Sequence, residues 1–133
     1  MQPKIVNEVI DKDGHTVKKY GSKKYGDAMS TEDARIIKDY MKSLVDGQLG
    51  GKWSYFRGTD TAGKTGTAEA FYYGPQTAMN GTSVYNLTFV GYAPADNPEI
   101  AVTVVVPFMP NDKNTINKDV ASAVFNAYFD MKK

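Results

Sequence analysis

The sequence predicts an α+β fold: an antiparallel β-sheet of three core strands, preceded by a hairpin and a helix, with a C-terminal helix packed on the sheet. Three observations carry this reading. Two segments, STEDARIIKDYMKSLVDG and NKDVASAVFNAYFDMKK, repeat apolar residues at helical spacing. Three others, TAGKTGTAEAFYY, SVYNLTFVGY and EIAVTVVVPF, are rich in threonine, β-branched and aromatic residues and are bounded by Gly, Pro and Asn. The link between the last two is the short Pro94 to Pro98 turn, which joins antiparallel neighbours, and the strand-helix alternation of a parallel sheet is missing.

In order along the chain, KIVNEVI is extended, DKDG supplies a turn and HTVKKY returns, giving a hairpin over residues 4 to 20. GSKKYGDAM is a basic, glycine-containing connector. The first helix spans residues 31 to 46: Ser30 and Asp33 form a capping-box-like opening, and Gly47 stands where a helix stops. Its stripe of Ala34, Ile37, Met41, Leu44 and Val45 is expected in the core. After GQLGGKWSYFRG the first core strand runs from Thr61 to Tyr72 and ends at Gly74 and Pro75. An Asn80-Gly81 turn leads to SVYNLTFVGY, which alternates cleanly, and the β-branched run of EIAVTVVVPF implies burial on both faces. In the closing helix, Val120, Ala121, Val124, Phe125 and Tyr128 form the packing stripe, and Lys132 and Lys133 suit its carboxyl end.

Composition narrows the chemistry. The chain has 133 residues, one domain's worth, with 16 Lys and Arg against 15 Asp and Glu and a formal charge of +1. Nothing in that balance points to nucleic acid or to an anionic membrane, so the expected partner is a small molecule, a peptide or another protein segment. There is no cysteine, which excludes disulfides, thiolate metal sites and a thiol nucleophile. The only histidine, His15, follows Gly14 in a turn where it should be exposed, which leaves lysine as the more plausible acid, base or electrostatic group. No secretory signal opens the chain, and IAVTVVVPF is too short to span a bilayer, so the chain itself is expected to be soluble.

The stretch from Gly58 to Glu69, GTDTAGKTGTAE, carries two overlapping patterns that share Lys64. GTDTAGKT satisfies G-x-x-x-x-G-K-[ST], the phosphate-cradling loop. That loop needs a buried strand running into the glycines and a helix leaving from the lysine. GGKWSYFR is no apolar strand, and Thr65 is followed by glycine, aromatics and proline. No acidic residue ends a later strand to hold magnesium, since AVTVVV runs into Pro107. Asn80-Gly81-Thr82 and Asn86-Leu87-Thr88 match a glycosylation acceptor, a short and common pattern. Trp53, Tyr55 and Phe56 could stack on a ligand, but aromatics beside a glycine-rich bend are more often packing.

As a strand the same stretch makes physical sense. Lys64 and Thr65 project to opposite faces, so both can serve one ligand only at a sheet edge. Gly66 removes the side chain that would hold a ligand off, Thr65 and Thr67 offer hydroxyls to a carboxylate, and Lys64 supplies a positive field. An N–H just past Gly66 could meet a carbonyl oxygen under attack. From Lys-Thr-Gly alone, this site and a plain threonine-rich edge strand are equally good readings.

The wider context adds a resemblance. AGKTGTAE, followed by NLTFVGYAPADNPEIAVTVVV and a terminal amphipathic helix, resembles the end of the transpeptidase domain of class B penicillin-binding proteins, particularly the Gram-positive type. QPKIVNEVIDKDG and STEDARIIKDYMKSLVDG resemble the segments that precede that motif, so the likeness covers the whole chain, residues 1–133, as the C-terminal portion of such a domain. It implies a partial penicillin-binding, β-lactamase-like fold, lacking two strands that would pair beside EIAVTVVVPF. It also implies catalytic roles for Lys64 and Thr67 and substrate contacts for Lys64, Thr65, Gly66 and Thr67, with the Thr67 N–H as half of an oxyanion hole, no cofactor and no metal. Glu69 is assigned no chemical role. The implied partners are the peptidoglycan stem peptide, β-lactam antibiotics and the remainder of the domain, at the outer face of a bacterial cell membrane.

Ser-x-x-Lys and Ser-x-Asn, the family's other two motifs, are not in this chain: Ser22, Ser30, Ser43, Ser54, Ser83 and Ser122 all lack the required followers. The chain alone is therefore expected not to turn over substrate. A rival reading is a non-catalytic module that binds a peptide or subunit, or self-associates, through an exposed sheet edge. The nucleotide reading has its own test: Mg-ATP should leave the melting temperature unchanged, and a magnesium-dependent rise abolished by Lys64→Ala would reinstate it.

Overall fold

The computed structural model describes residues 4–47, 55, 56 and 58–133. Within them the chain divides into two compact units, residues 1–34 and 35–133. Trp53 and most of its glycine-rich connector lie outside the described residues.

The first unit is built on the predicted hairpin. Strands β1 (Glu8–Ile10) and β2 (Thr16–Lys19) pair antiparallel, with an irregularity between Val9 and Ile10. The turn is organised by Asp11, whose Oδ1 accepts the N–H groups of Asp13 and His15, both at 2.9 Å, while Gly14 takes φ +87°. These backbone donors, His15 foremost, hold the Asp11 carboxyl below its ordinary range. His15 is exposed, as its turn position predicts.

Helix α1 (Thr31–Leu44) begins where the capping signal placed it: the Ser30 hydroxyl accepts the Asp33 N–H at 3.0 Å and donates to the Asp33 carboxylate at 2.7 Å. The expectation that its apolar stripe is core needs correction. Only Val45, just past the helix, is buried, with Leu44 packed beside it; Ile37 is 44% exposed and Ala34 is exposed too. The physical reason is that the core has no layer over the first turns of α1 among the residues of the second unit.

The second unit holds a three-stranded antiparallel sheet, β3 (Ala62–Phe71), β4 (Ser83–Ala93) and β5 (Ile100–Met109), in the order β3-β4-β5. Helix α2 (Ile116–Asp130) packs on one face. Cross-strand partners share a face, so the rows Thr65-Phe89-Val104 and Gly63-Gly91-Val102 point to α2, and the rows Lys64-Val90-Thr103 and Gly66-Thr88-Val105 point away. The core lies on the α2 face. Phe89 is fully buried, stacked on Phe56 at 5.0 Å between ring centroids, and Phe56 meets Phe125 of α2 edge-on at 6.0 Å. Phe56 is thus packing, which settles that candidate stacking residue against the ligand role. Tyr55 packs at the margin of the same cluster.

Two further expectations are corrected. Strand β5 is not buried on both faces: Val104 is, but Val105 is 61% exposed, because α2 covers one side only. On α2 the buried residues are Asn117, Ala121 and Phe125, whereas Val120 and Val124 are about two-fifths exposed. Asn117 turns inward because its amide donates to the Thr88 carbonyl at 2.8 Å, which gives a buried polar group its partner. The helix end is tied by Lys132, bonded to Glu99, and by Lys133, 2.7 Å from Asp130.

At the far end of the sheet the ladder between β4 and β5 shifts register between Tyr85 and Leu87. Phe108 sits in that bulge with φ +59°, its N–H bonded to the Asn86 side chain at 3.1 Å and its ring edge-on to Tyr72 at 5.1 Å. Asn86, half of a sequence pattern for glycosylation, thus has a structural partner.

Phe89→Ala should lower stability by about 3–5 kcal/mol, the range for truncating a buried aromatic ring. Urea denaturation measures it, and a loss below about 1 kcal/mol would mean that the Phe56-Phe89-Phe125 cluster does not carry the stability of the core.

Candidate functional site

Residues Ala62 to Phe71 form ten consecutive antiparallel pairs with β4, from Ala62 opposite Tyr92 to Phe71 opposite Ser83. Lys64 therefore lies in the interior of a strand, and no helix leaves from Thr65. That geometry removes the phosphate-loop reading, which needs the lysine at the amino end of a helix.

Strand β3 is an edge of its sheet among the described residues, the condition under which residues on both faces can meet one ligand. Lys64 projects from the face away from α2, and its Nζ donates to the Thr65 carbonyl at 2.7 Å. The ammonium is exposed, bent over the next peptide unit rather than extended. Thr65, in the row of Phe89, and Thr67, in the row of Leu87, are directed to the α2 face; Thr65 is half-buried and Thr67 exposed. Gly66 lies between them on the Lys64 face. A Cβ at Gly66 would stand 2.4 Å from the Thr88 hydroxyl, so a close approach on β4 already calls for glycine here, whatever else passes along the edge.

The strand thus brings Lys64, Thr65, Gly66 and Thr67 together by continuity, with the lysine and the threonines on opposite faces. Glu69 accepts a hydrogen bond from Ser83 of β4 at 2.8 Å. Among the serines, Ser30 caps α1 and Ser122 bonds the Tyr55 carbonyl. A shallow cavity of about 510 Å³ is lined by Asp39, Lys42, Ser43, Asp46 and Gly47 at the end of α1. None of residues 64–67 lines it, so this recess and the chemistry-bearing strand do not coincide.

Sequence reasoning missed one group next to this strand. Lys42 of α1 bonds Asp60, two residues before β3, and also lies 3.4 Å from Asp46. The Asp60 hydrogen bond is the main cause that holds the Lys42 ammonium pKa above its ordinary value. No spacing rule links positions 42 and 60, so only the fold reveals the pair.

Comparison with known proteins decides the family. The model of the penicillin binding protein transpeptidase domain matches residues 1–130. This chain belongs to that family. Among relatives, penicillin-binding protein 2A of Bacillus subtilis is 35% identical over 145 residues, covering 99% of this chain and 20% of its own length. Among solved structures, the D,D-transpeptidase domain of a peptidoglycan glycosyltransferase from Eggerthella lenta superposes with a TM-score of 0.72 at 23% identity, over 95% of this chain and 27% of that one. Penicillin binding protein 3 from Mycobacterium tuberculosis, solved with ampicillin, gives a TM-score of 0.64 at 20% identity, over 94% of this chain and 30% of that one. At those identities the two structures establish the transpeptidase-domain fold alone. The chain spans about a fifth of the length of its Bacillus relative.

Because Gly66 faces Thr88, Gly66→Ala should cost about 1–3 kcal/mol, the usual effect of overpacking, and adding Thr88→Ala should restore most of it. Thermal unfolding of the two single variants and the double variant measures the coupling. Additive losses would show that the crowding at Thr88 is not what selects glycine.

Proposed function

We propose that this chain is the C-terminal, Lys-Thr-Gly-bearing portion of a class B D,D-transpeptidase, the part that binds the peptide but does not attack it. The observation that carries the reading is Lys64: an exposed ammonium on an edge strand, directly before Thr65, Gly66 and Thr67, in a chain matched to the transpeptidase family along nearly its whole length.

In the complete domain the reaction would be acyl transfer. A serine Oγ attacks the carbonyl of the penultimate D-Ala of a D-Ala-D-Ala stem peptide, the bond to the terminal D-Ala breaks, and that residue leaves as the free amino acid after taking a proton. An amine of a second stem peptide then takes the acyl group and releases the serine. A β-lactam would stop after the first step, its ring amide opened and its acyl group kept on the serine. Lys64 contributes positive charge and a donor, Thr65 and Thr67 contact the carboxylate, and the Thr67 N–H stabilises the developing oxyanion. The serine, its lysine partner and the second oxyanion donor come from the remainder of the domain, on the outer face of the cell membrane. No helix among the described residues is long and apolar enough to cross a membrane.

A second reading is favoured by a specific observation: among the described residues β5 has a free edge, and Val90 and Val105 on the face away from α2 are 49% and 61% exposed. A non-catalytic module could pair another strand there.

A fluorescent penicillin separates the two. This chain alone should remain unlabelled, whereas the complete protein should be acylated, and Lys64→Ala should slow that acylation about a hundredfold, the scale for removing one electrostatic contact to a developing oxyanion. A stable acyl-serine on any of the six serines of this chain would overturn its assignment as the non-attacking part. Self-association with no acylation of the complete protein would favour the binding module.

A further inference from the structure

The entrance to β3 is a joint of three elements, and Asp60 is common to all of them. Its backbone carbonyl accepts the Ala95 N–H at 2.6 Å, and its Oδ2 lies 3.2 Å from the same nitrogen. Its Oδ1 accepts from Lys42 Nζ of α1. Ala95 opens the turn between β4 and β5, directly after Ala93 and Pro94, and Asp60 itself leads through Thr61 into Ala62, the first residue of β3. The carboxylate itself is partly exposed, its side chain at 41%, but the neighbouring chain is closed: Thr61, Ala62, Ala93 and Ala95 are each at most 1% exposed.

Helix α1 exposes much of its apolar side, and Leu44 and Val45 enter the core only at its end. Two ion pairs also tie it to this unit: Lys38 lies 2.7 Å from Asp96, and Lys42 bonds Asp60. They differ in where they lead. Both carboxylates are exposed, but Asp96 belongs to the turn, whereas Asp60 leads into the strand that carries Lys64 four residues later, roughly 13 Å along an extended chain.

From this geometry we propose that Asp60 is a positioning residue for Lys64. One carboxylate fixes α1, through Lys42, to the entrance of β3, and fixes that entrance, through Ala95, to the β4-β5 turn. The strand is thereby anchored at its amino end, where no ladder partner precedes Ala62. The proposal rests on the transpeptidase reading for its effect on acylation, but not for its effect on the strand.

The test uses two readouts. In the complete transpeptidase, acylation by a fluorescent penicillin is timed for Asp60→Asn, Lys42→Met, the double variant, Lys42→Arg and Lys38→Met. Asp60→Asn keeps an acceptor for the Ala95 N–H and removes the charge that holds Lys42. Each of Asp60→Asn and Lys42→Met should slow acylation about tenfold, a modest share of what a misplacement of about 1 Å can cost. The double variant should be no slower than either single, Lys42→Arg should recover most of the rate, and Lys38→Met should stay within about twofold of wild type. Unchanged rates for Asp60→Asn, losses that multiply in the double variant, or an equal loss in Lys38→Met would each overturn the proposal.

The second readout is amide hydrogen exchange at Ala62 to Gly66 in this chain. Asp60→Asn and Lys42→Met should each speed exchange there about tenfold with exchange in α2 unchanged, which keeps a strand effect apart from global unfolding. Equal rates in variant and wild type would overturn the proposal. If the wild-type complete protein takes no label at all, the transpeptidase reading fails, and the exchange measurement alone decides the role of Asp60.

Discussion

The ring of Phe89 fills space that a side chain at Gly63 or Gly91 would otherwise occupy. A Cβ at Gly63 would meet the ring at 2.6 Å and one at Gly91 at 2.7 Å. The two glycines face each other across β3 and β4, so the ring has room only while that pairing holds. A slip of one residue would bring Ala62 or Lys64 opposite Gly91 and, because side chains alternate along a strand, would invert the whole of β3. Lys64 would turn into the α2 face and Thr65 out of it. Packing on one face of the sheet therefore determines what chemistry the other face can offer.

That dependence explains which parts of the fold could be read in the sequence. All three strands and both helices lie close to their expected ranges, because each is a local matter of period, cap or turn. Ser30 with Asp33 identified the start of α1, and Asn80-Gly81 the turn before β4. Burial was read less well, for a reason that is not local. A stripe such as Ala34, Ile37 and Met41, or a run such as Val104-Val105-Val106, shows that a segment is fit to be covered, not that anything covers it. Here α2 covers one face of the sheet, and among the described residues of the second unit Ile37 and Val105 remain accessible.

The candidate site divides along the same line. Lys64, Thr65, Gly66 and Thr67 were legible because they are consecutive, and strand geometry alone assigns alternate residues to alternate faces. An edge position for β3 was a condition of the ligand reading, and the sheet order meets it among the described residues. Asp60 was not legible: its partners lie eighteen residues before it, at Lys42, and thirty-five after it, at Ala95. An aspartate in a Gly-Thr-Asp-Thr loop looks like an ordinary turn residue until the fold brings those partners to it.

The two patterns that meet at Lys64 ask opposite things of the backbone. A phosphate loop turns its N–H groups inward and hands the lysine to a helix, where aligned peptide dipoles favour an anion. A Lys-Thr-Gly strand keeps the backbone extended and leaves one edge unpaired, so that a peptide can take the place of the next strand. The ten pairs between β3 and β4 exclude the first arrangement, and among the described residues β3 has no strand on its other side, as the second requires. The exposed face around Lys64, with Val90 and Thr103 in its row, follows from the same cause as the exposed stripe of α1. The chain spans about a fifth of its Bacillus relative's length, and on the proposed reading the exposed surface beside Lys64 is where the remainder of the domain would complete the site.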